Sequence, residues 1–204
     1  MKTWDLWAPD ILPSVVGCSM PLMMQELRHA ARDLFRRTKA WQEWTDPVVG
    51  DGIRTNFTIP LPNDGELWKI ENAVADTVPI DVVNWRCMPA PPEDWNPGAG
   101  IYSTDRLTFN LVGYVTPGVP ITLKVTLIPS MNSRGLSDDM AALTWETLAH
   151  GAKARIMQIP KFDFSNAQQA MLEKAEYEEG VGRLQLSSFT NNSSAVPRAW
   201  PKWL

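Results

Sequence analysis

Cysteine and histidine are scarce in this chain, with two of each among 204 residues. Cys18 and Cys87 cannot make a disulfide framework, and neither has metal-ligand spacing. The expectation for both is a buried free thiol. His29 and His150 lack the partner of an HExxH zinc site. The chain also lacks a GxSxG elbow, a Walker A loop and a GxGxxG turn. Nothing orients a Cys18–His29 nucleophile pair. Adjacent acids such as Glu93/Asp94, Asp138/Asp139 and Glu178/Glu179 do not face each other on a helix, whereas glycoside hydrolysis needs two carboxyls opposed across a substrate. No catalytic residue, metal ligand or cofactor is therefore assigned, and the expectation is a protein that is not an enzyme.

Long apolar runs are missing too. None approaches the roughly 20 residues that cross a bilayer. The opening MKTWDLWAPDILPSVVG has no continuous apolar core of the secretory type. The expectation is synthesis in a cytoplasm and no membrane partner. Charge of one sign is not in excess: 19 basic residues stand against 23 acidic, for a net −4. A sequence-reading DNA binder usually carries a basic face. The 44% hydrophobic and 21% charged content is ordinary for a globular fold with a sizeable core.

What the chain has in abundance is tryptophan, 10 residues, and proline, 17 residues. Six of the tryptophans form pairs of equal spacing: Trp4/Trp7, Trp41/Trp44 and Trp200/Trp203. Tryptophan is common at protein–protein hot spots. Trp68, Trp85 and Trp145 are read as core.

Residues 1–18 read as extended, because Pro9 and Pro13 interrupt a regular helix. Ser19 with Pro21 starts a helix. Leu27, Ala30, Ala31, Leu34, Thr38 and Trp41 then recur at helical spacing to about Trp44. The opposite face carries Arg28, Arg32, Arg36 and Lys39, with Arg37 at its edge. From Asp46 the texture changes to short runs of Val, Ile and Thr separated by turns such as Asp51-Gly52 and Asn63-Asp64-Gly65. Period-two alternation is clearest over Pro120–Ile128, with Ile121, Leu123, Val125 and Leu127 on one side. Weaker runs are Thr55–Ile59, Glu66–Ala75, Ile80–Cys87 and Arg106–Val112. These predict a small antiparallel β-sandwich or barrel. Residues 46–135 hold ten acidic against six basic residues, so the acidity belongs to this segment.

Ser137 with Asp138 and Asp139 opens a second helix that Pro160 stops near Ile159. Ser165-Asn166-Ala167-Gln168 reads as a capping box. A third helix follows through Ala170, Lys174, Tyr177, Val181 and Leu184, with Glu173, Glu176, Glu178 and Glu179 on an acidic exposed face. The last residues are a polar Ser/Thr/Asn spacer and then Val-Pro-Arg-Ala-Trp-Pro-Lys-Trp-Leu. They read as a docking arm whose candidate contacts are Pro197, Arg198, Trp200, Pro201, Trp203 and Leu204.

The expected fold class is α+β. A three-helix body (1–45 and 136–186) carries an inserted antiparallel β-sandwich or barrel (46–135) between the first two helices. An extended C-terminal arm (187–204) completes it. The basic face of the first helix and the acidic face of the third invite head-to-tail contact between copies, through Arg28, Arg32 and Arg36 on one and Glu173, Glu176 and Glu179 on the next. Such heterologous contacts close into rings.

The segments Asp10–Pro21 (DILPSVVGCSMP) and Leu27–Trp41 (LRHAARDLFRRTKAW) resemble the opening of the head-to-tail adaptor proteins of tailed bacteriophages, especially short-tailed ones. The stretch Met157–Pro160, then Phe164-Ser165-Asn166 and an acidic helix with Tyr177 and Gly180, is similar to the same group. The resemblance covers both ends of the chain and rests on packing signatures. It implies a virion structural protein that forms a ring, expected to be a dodecamer, beneath the portal. The ring would extend the DNA channel, let genomic DNA pass without sequence specificity, and seat a tail or nozzle protein in the virion neck. The arm would reach the portal protein. Two other readings stay open: a β-sandwich carbohydrate-binding module using an exposed tryptophan such as Trp95, and a phage cell-wall hydrolase.

Overall fold

A computed structural model describes residues 1–50, 56–83, 100–112 and 117–189. The class is α+β. The chain divides into two compact units: Trp41–Ser133 forms one, and Met1–Ala40 with the described residues from Arg134 onward forms the other.

The helical unit begins with strand β1 (Lys2–Thr3), which pairs antiparallel with β10 (Gly135–Leu136). A Cβ at Gly135 would run into the Lys2 carbonyl, so only glycine allows this approach. Residues 4–14 are not extended, contrary to expectation. A 3-10 turn (Trp4–Trp7), the short helix α1 (Ala8–Ile11) and a second 3-10 turn (Leu12–Ser14) follow one another. Pro9 and Pro13 sit in the first positions of the last two. There a missing N–H is no loss, and proline starts helical turns instead of preventing them.

Helix α2 (Met20–Thr38) buries Met23, Leu27, Ala30, Ala31, Leu34, Phe35 and Thr38. Ser19 has the extended backbone of an N-cap but makes no side-chain cap bond. The helix does not reach Trp44. Lys39 adopts a left-handed conformation (φ 53°) and closes it. Helix α3 (Asp138–Met157) starts at Ser137, whose hydroxyl accepts the Met140 N–H at 3.4 Å. Helix α4 (Ala167–Phe189) is capped by Asn166, whose side-chain oxygen accepts the Gln169 N–H at 3.0 Å. Ser165, the expected cap, instead donates to the Ile159 carbonyl and accepts from Phe162 N–H. The helix runs past residue 186 into the segment expected to begin the arm. Residues 190–204, with the whole proposed contact set Pro197, Arg198, Trp200, Pro201, Trp203 and Leu204, lie outside the described residues.

The β unit starts with Trp41, which precedes the first strand of this unit, and Trp44 ends that strand; neither belongs to a helix. Its strands are β2 (Gln42–Trp44), β3 (Val48–Val49), β4 (Asn56–Thr58), β5 (Gly65–Ala75), β6 (Val78–Val82), β7 (Gly100–Tyr102), β8 (Thr108–Val112) and β9 (Pro120–Pro129). They form one continuous path, β2-β9-β5-β6-β7-β8-β4, with β3 also on β9. The expectation of a purely antiparallel arrangement is corrected. β6 and β7 pair in parallel, Asp81 with Gly100 and Val82 with Ile101. β6 changes partners midway, joining β5 through Val78–Ile80 and β7 through Asp81–Val82.

The alternation read on β9 holds for Ile121, Leu123, Val125 and Leu127, all at most 1% exposed. Thr126 and Ile128 are buried as well, so the second half of β9 is covered on both faces. Thr126 meets this burial by donating to Glu71 at 3.0 Å. β5 departs from period two. Register shifts fall between Leu67 and Lys69 and between Ile70 and Asn72, and Leu67, Ile70 and Ala73 are the buried positions. Two bulges turn a period of two into one of three.

Candidate assembly surface

The helical unit is held together by two close helix approaches. A Cβ at Gly180 of α4 would lie 2.7 Å from the Thr147 methyl of α3. A Cβ at Gly151 of α3 would lie 2.7 Å from the Tyr177 ring. Both glycines let α3 and α4 pack at short range. Tyr177 then reaches α2, where its hydroxyl lies 3.1 Å from the Ala30 carbonyl and 3.1 Å from the Asp33 carboxylate, both acceptors for its proton. Burial and the nearby Asp33 charge push the Tyr177 phenol far above its ordinary range. It is a fixed donor.

A tryptophan cluster secures the N-terminal turns. Trp4 is 1% exposed and Trp7 0%. Trp7 stacks on Trp145 with centroids 4.1 Å apart and donates to the Trp145 carbonyl at 3.2 Å. The Trp145 indole donates to Asp10 at 2.7 Å. The Trp4/Trp7 pair is therefore core. Trp145 is half-buried and Trp44 exposed, while Trp85, Trp95 and Cys87 lie outside the described residues. Cys18 is half-buried and not fully buried as expected; burial pushes its thiol up.

The charges expected on the outer faces are partly used inside the unit. Arg37 donates to Glu178 through two N–H groups at 3.0 and 2.5 Å and to Asp33 at 3.3 Å. This fork holds the Glu178 carboxyl below its usual range and raises Arg37. Arg155 donates to Glu26 at 2.8 Å. Of the three arginines expected at a subunit contact, only Arg36 is exposed, and it pairs with Asp33 at 2.6 Å. Arg32 is half-buried. Arg28 is half-buried too, and its Nε is enclosed with no hydrogen-bond partner among the described residues.

Glu173 is corrected: it is 9% exposed and not on the outer face. It takes the core position that the sequence reading gave to Lys174, which is exposed. Its carboxylate meets the His150 Nδ1 at 2.7 Å and the Gln169 amide at 3.0 Å. Burial opposes its charge, but the His150 and Gln169 hydrogen bonds prevail and hold it below the usual range. Glu176 and Glu179 are exposed as expected, Glu179 lying 3.9 Å from Arg183.

What faces outward from α4 is a second apolar stripe. Ala170, Tyr177, Val181 and Leu184 are buried. On the opposite side Met171, Ala175, Gly182 and Leu186 follow one another at spacings of four, seven and four residues, with Leu172 beside them. Met171 is 72%, Leu172 59% and Leu186 69% exposed. Glu178 and Glu179 interrupt this outer stripe midway, and Glu176 borders it. Beside it a groove of about 390 Å³ runs between α3 and α4, with Leu143, Glu146 and Arg183 in its walls. The sequence contained the signal, since two apolar periodicities are interleaved there. The reading followed only one.

Among the described residues, no group of three or more His, Cys, Asp or Glu side chains is placed to hold a metal ion, and no helix is long and apolar enough to cross a membrane. No protein-family model matches the sequence, and no curated protein matches it.

Proposed function

We propose that this protein is a structural component of a tailed-bacteriophage neck, a head-to-tail adaptor that assembles as a ring beneath the portal. The observation that carries the assembly reading is the outward apolar stripe of α4. Met171 and Leu172 stand together near the start of α4 and Leu186 about four turns further on, and exposed apolar side chains of this size favour burial against another copy. The resemblance of Asp10–Pro21, Leu27–Trp41, Met157–Pro160 and Phe164–Asn166 to phage adaptors supports reading that assembly as the neck ring. The finer architecture of the proposal is a three-helix body, a β insert and a C-terminal arm. Its partners are other copies in a dodecamer, the portal protein through the arm, and a tail or nozzle protein. Genomic DNA passes without sequence reading, and the acidic β unit repels it.

The contact between copies is revised from an all-ionic one. Met171, Leu172 and Leu186 of α4 supply its apolar contacts, with Glu176 and Glu179 between them facing Arg36 of the next copy. Light scattering on the chain alone and mixed with portal protein tests this. A ring-sized complex is expected, and it should be lost in Met171→Lys/Leu186→Lys and on removal of residues 195–204. A monomer indifferent to portal, or a complex that survives the two lysines, overturns the reading.

A further inference from the structure

In the β unit, two departures from regular backbone meet in one cleft. Trp68 is the extra residue of the first β5 bulge, lying between the pairs Leu67–Leu127 and Lys69–Thr126. A bulge re-aims the side chain it carries. Arg106 has φ 63°, a left-handed conformation that long side chains seldom adopt. A hydrogen-bond network holds it there. Ser103 Oγ accepts the Arg106 N–H at 3.2 Å. The Asp105 carboxylate accepts the N–H groups of Leu107 and Thr108 at 2.9 and 2.8 Å, and the Thr108 hydroxyl at 2.9 Å. Non-glycine residues in such conformations persist only where their surroundings over-determine them, and they concentrate at ligand clamps.

The cleft opens where β6 leaves β5 for β7. It has a volume of about 390 Å³ and lies between Leu67–Ile70 of β5, Val82 and Val83 at the end of β6, and the Ser103–Arg106 loop. The Arg106 guanidinium sits 4.7 Å from the Trp68 ring centroid. A guanidinium held over an aromatic face still has N–H groups that a carboxylate or phosphate can accept from. Among the described residues no carboxylate pairs with Arg106. Yet Trp41–Ser133 holds eleven acidic residues against five basic. Lys69, in contrast, already lies 3.3 Å from Glu71.

We propose that this cleft binds an extended peptide segment of a partner protein through one acidic side chain. Arg106 receives the carboxylate bidentately. The apolar neighbours of that acid lie against Trp68 and the Val82–Val83 wall, and the Ser103 and Thr104 hydroxyls stand at the rim. A nucleic-acid backbone fits less well, because a chain of phosphates needs a track of cations. Among the described residues this cleft offers two cations, Arg106 and Lys69, and Lys69 already lies beside Glu71. The inference does not depend on the neck reading.

The test is a titration of the ¹⁵N-labelled full chain, followed at the Trp68 indole N–H and the Arg106 Nε–H. The probes are the blocked pentapeptide VEVEV, its glutamine counterpart VQVQV, inorganic phosphate and a short oligothymidylate. Saturable shifts with VEVEV alone are expected. Arg106→Gln should weaken binding at least about tenfold, the scale of a lost charge-assisted pair. Arg106→Lys, which keeps the charge and loses the fork, should fall between the two. An unchanged amide spectrum elsewhere shows that both variants fold. Equal shifts with VQVQV, a response confined to phosphate or oligothymidylate, or no saturable shift with any probe would overturn the proposal.

Discussion

Arg37 and Arg106 carry the same charge and stand in opposite situations. In the helical unit, Arg37 is met by Glu178 and Asp33, and its fork helps tie α2 to α4. In the β unit, Arg106 is held over Trp68 with no carboxylate partner among the described residues. The backbones differ in the same sense. Gly151 and Gly180 let helices close on each other, whereas the β5 bulge and the left-handed Arg106 open a cleft. A count of charges along a sequence therefore does not measure the charge a protein has to offer. The helical unit spends its charges on its own cohesion and offers an apolar stripe. The β unit offers an arginine.

This contrast can be broken at several points. The largest effect is expected from Trp7→Ala, because Trp7 is fully buried and stacked on Trp145. Removing a buried indole should lower stability by about 3–5 kcal/mol. A loss below about 1 kcal/mol in urea unfolding followed by circular dichroism would show that the indole cluster does not hold the helical unit.

Two glycines of α4 give the sharpest paired test. Gly180→Ala should cost about 1–3 kcal/mol, since its Cβ would collide with Thr147. Gly182→Ala meets nothing within 4 Å and should stabilise the helix by up to about 1 kcal/mol. Equal effects of the two would mean that α3 and α4 do not approach closely at Gly180. Next in size is Tyr177→Phe. It removes the donor to Ala30 and Asp33 and should cost about 1–2 kcal/mol by thermal unfolding.

The Glu173–His150 contact predicts a pH dependence. The Glu173 carboxyl is held below its usual value of 4.5. A depressed folded value means that its stabilisation is complete above the unfolded value and disappears as pH falls through the folded one. The stability difference between the native chain and Glu173→Gln should therefore narrow from neutral pH into the acid range below 4.5. A gap that is constant with pH would place the carboxylate outside this network. The smallest change in stability is expected in the β unit. Arg106→Gly exchanges the strain of a left-handed arginine for the backbone entropy of glycine, so stability should stay within about 0.5 kcal/mol. Binding of the acidic pentapeptide should vanish. A large loss of stability would make Arg106 a structural residue like Arg37.

Local signals were legible where they act locally. The Ser137 cap, the stop before Pro160 and the alternation on β9 could all be read one turn or one strand at a time. Misreadings arose where local rules allow two outcomes. Pro9 and Pro13 break a helix interior but begin a turn, and only the position of the turn decides between them. Trp41 continues the apolar spacing of α2, yet Lys39 turns the chain and hands Trp41 to the β unit. Ser165 and Asn166 can both cap, and Ser165 is drawn away by the Ile159 carbonyl.

By itself the sequence determined the α+β class, the order of the long elements and five of the ten described strands, because these follow from the spacing of apolar residues and from turn chemistry. Only the tertiary structure decided that Glu173 is buried beside His150, and that Arg37 is met by two carboxylates while none among the described residues meets Arg106. Each of these depends on which residue of a distant element lies within about 3–4 Å, the range over which hydrogen bonds and ion pairs act, and no spacing along one chain segment contains that information.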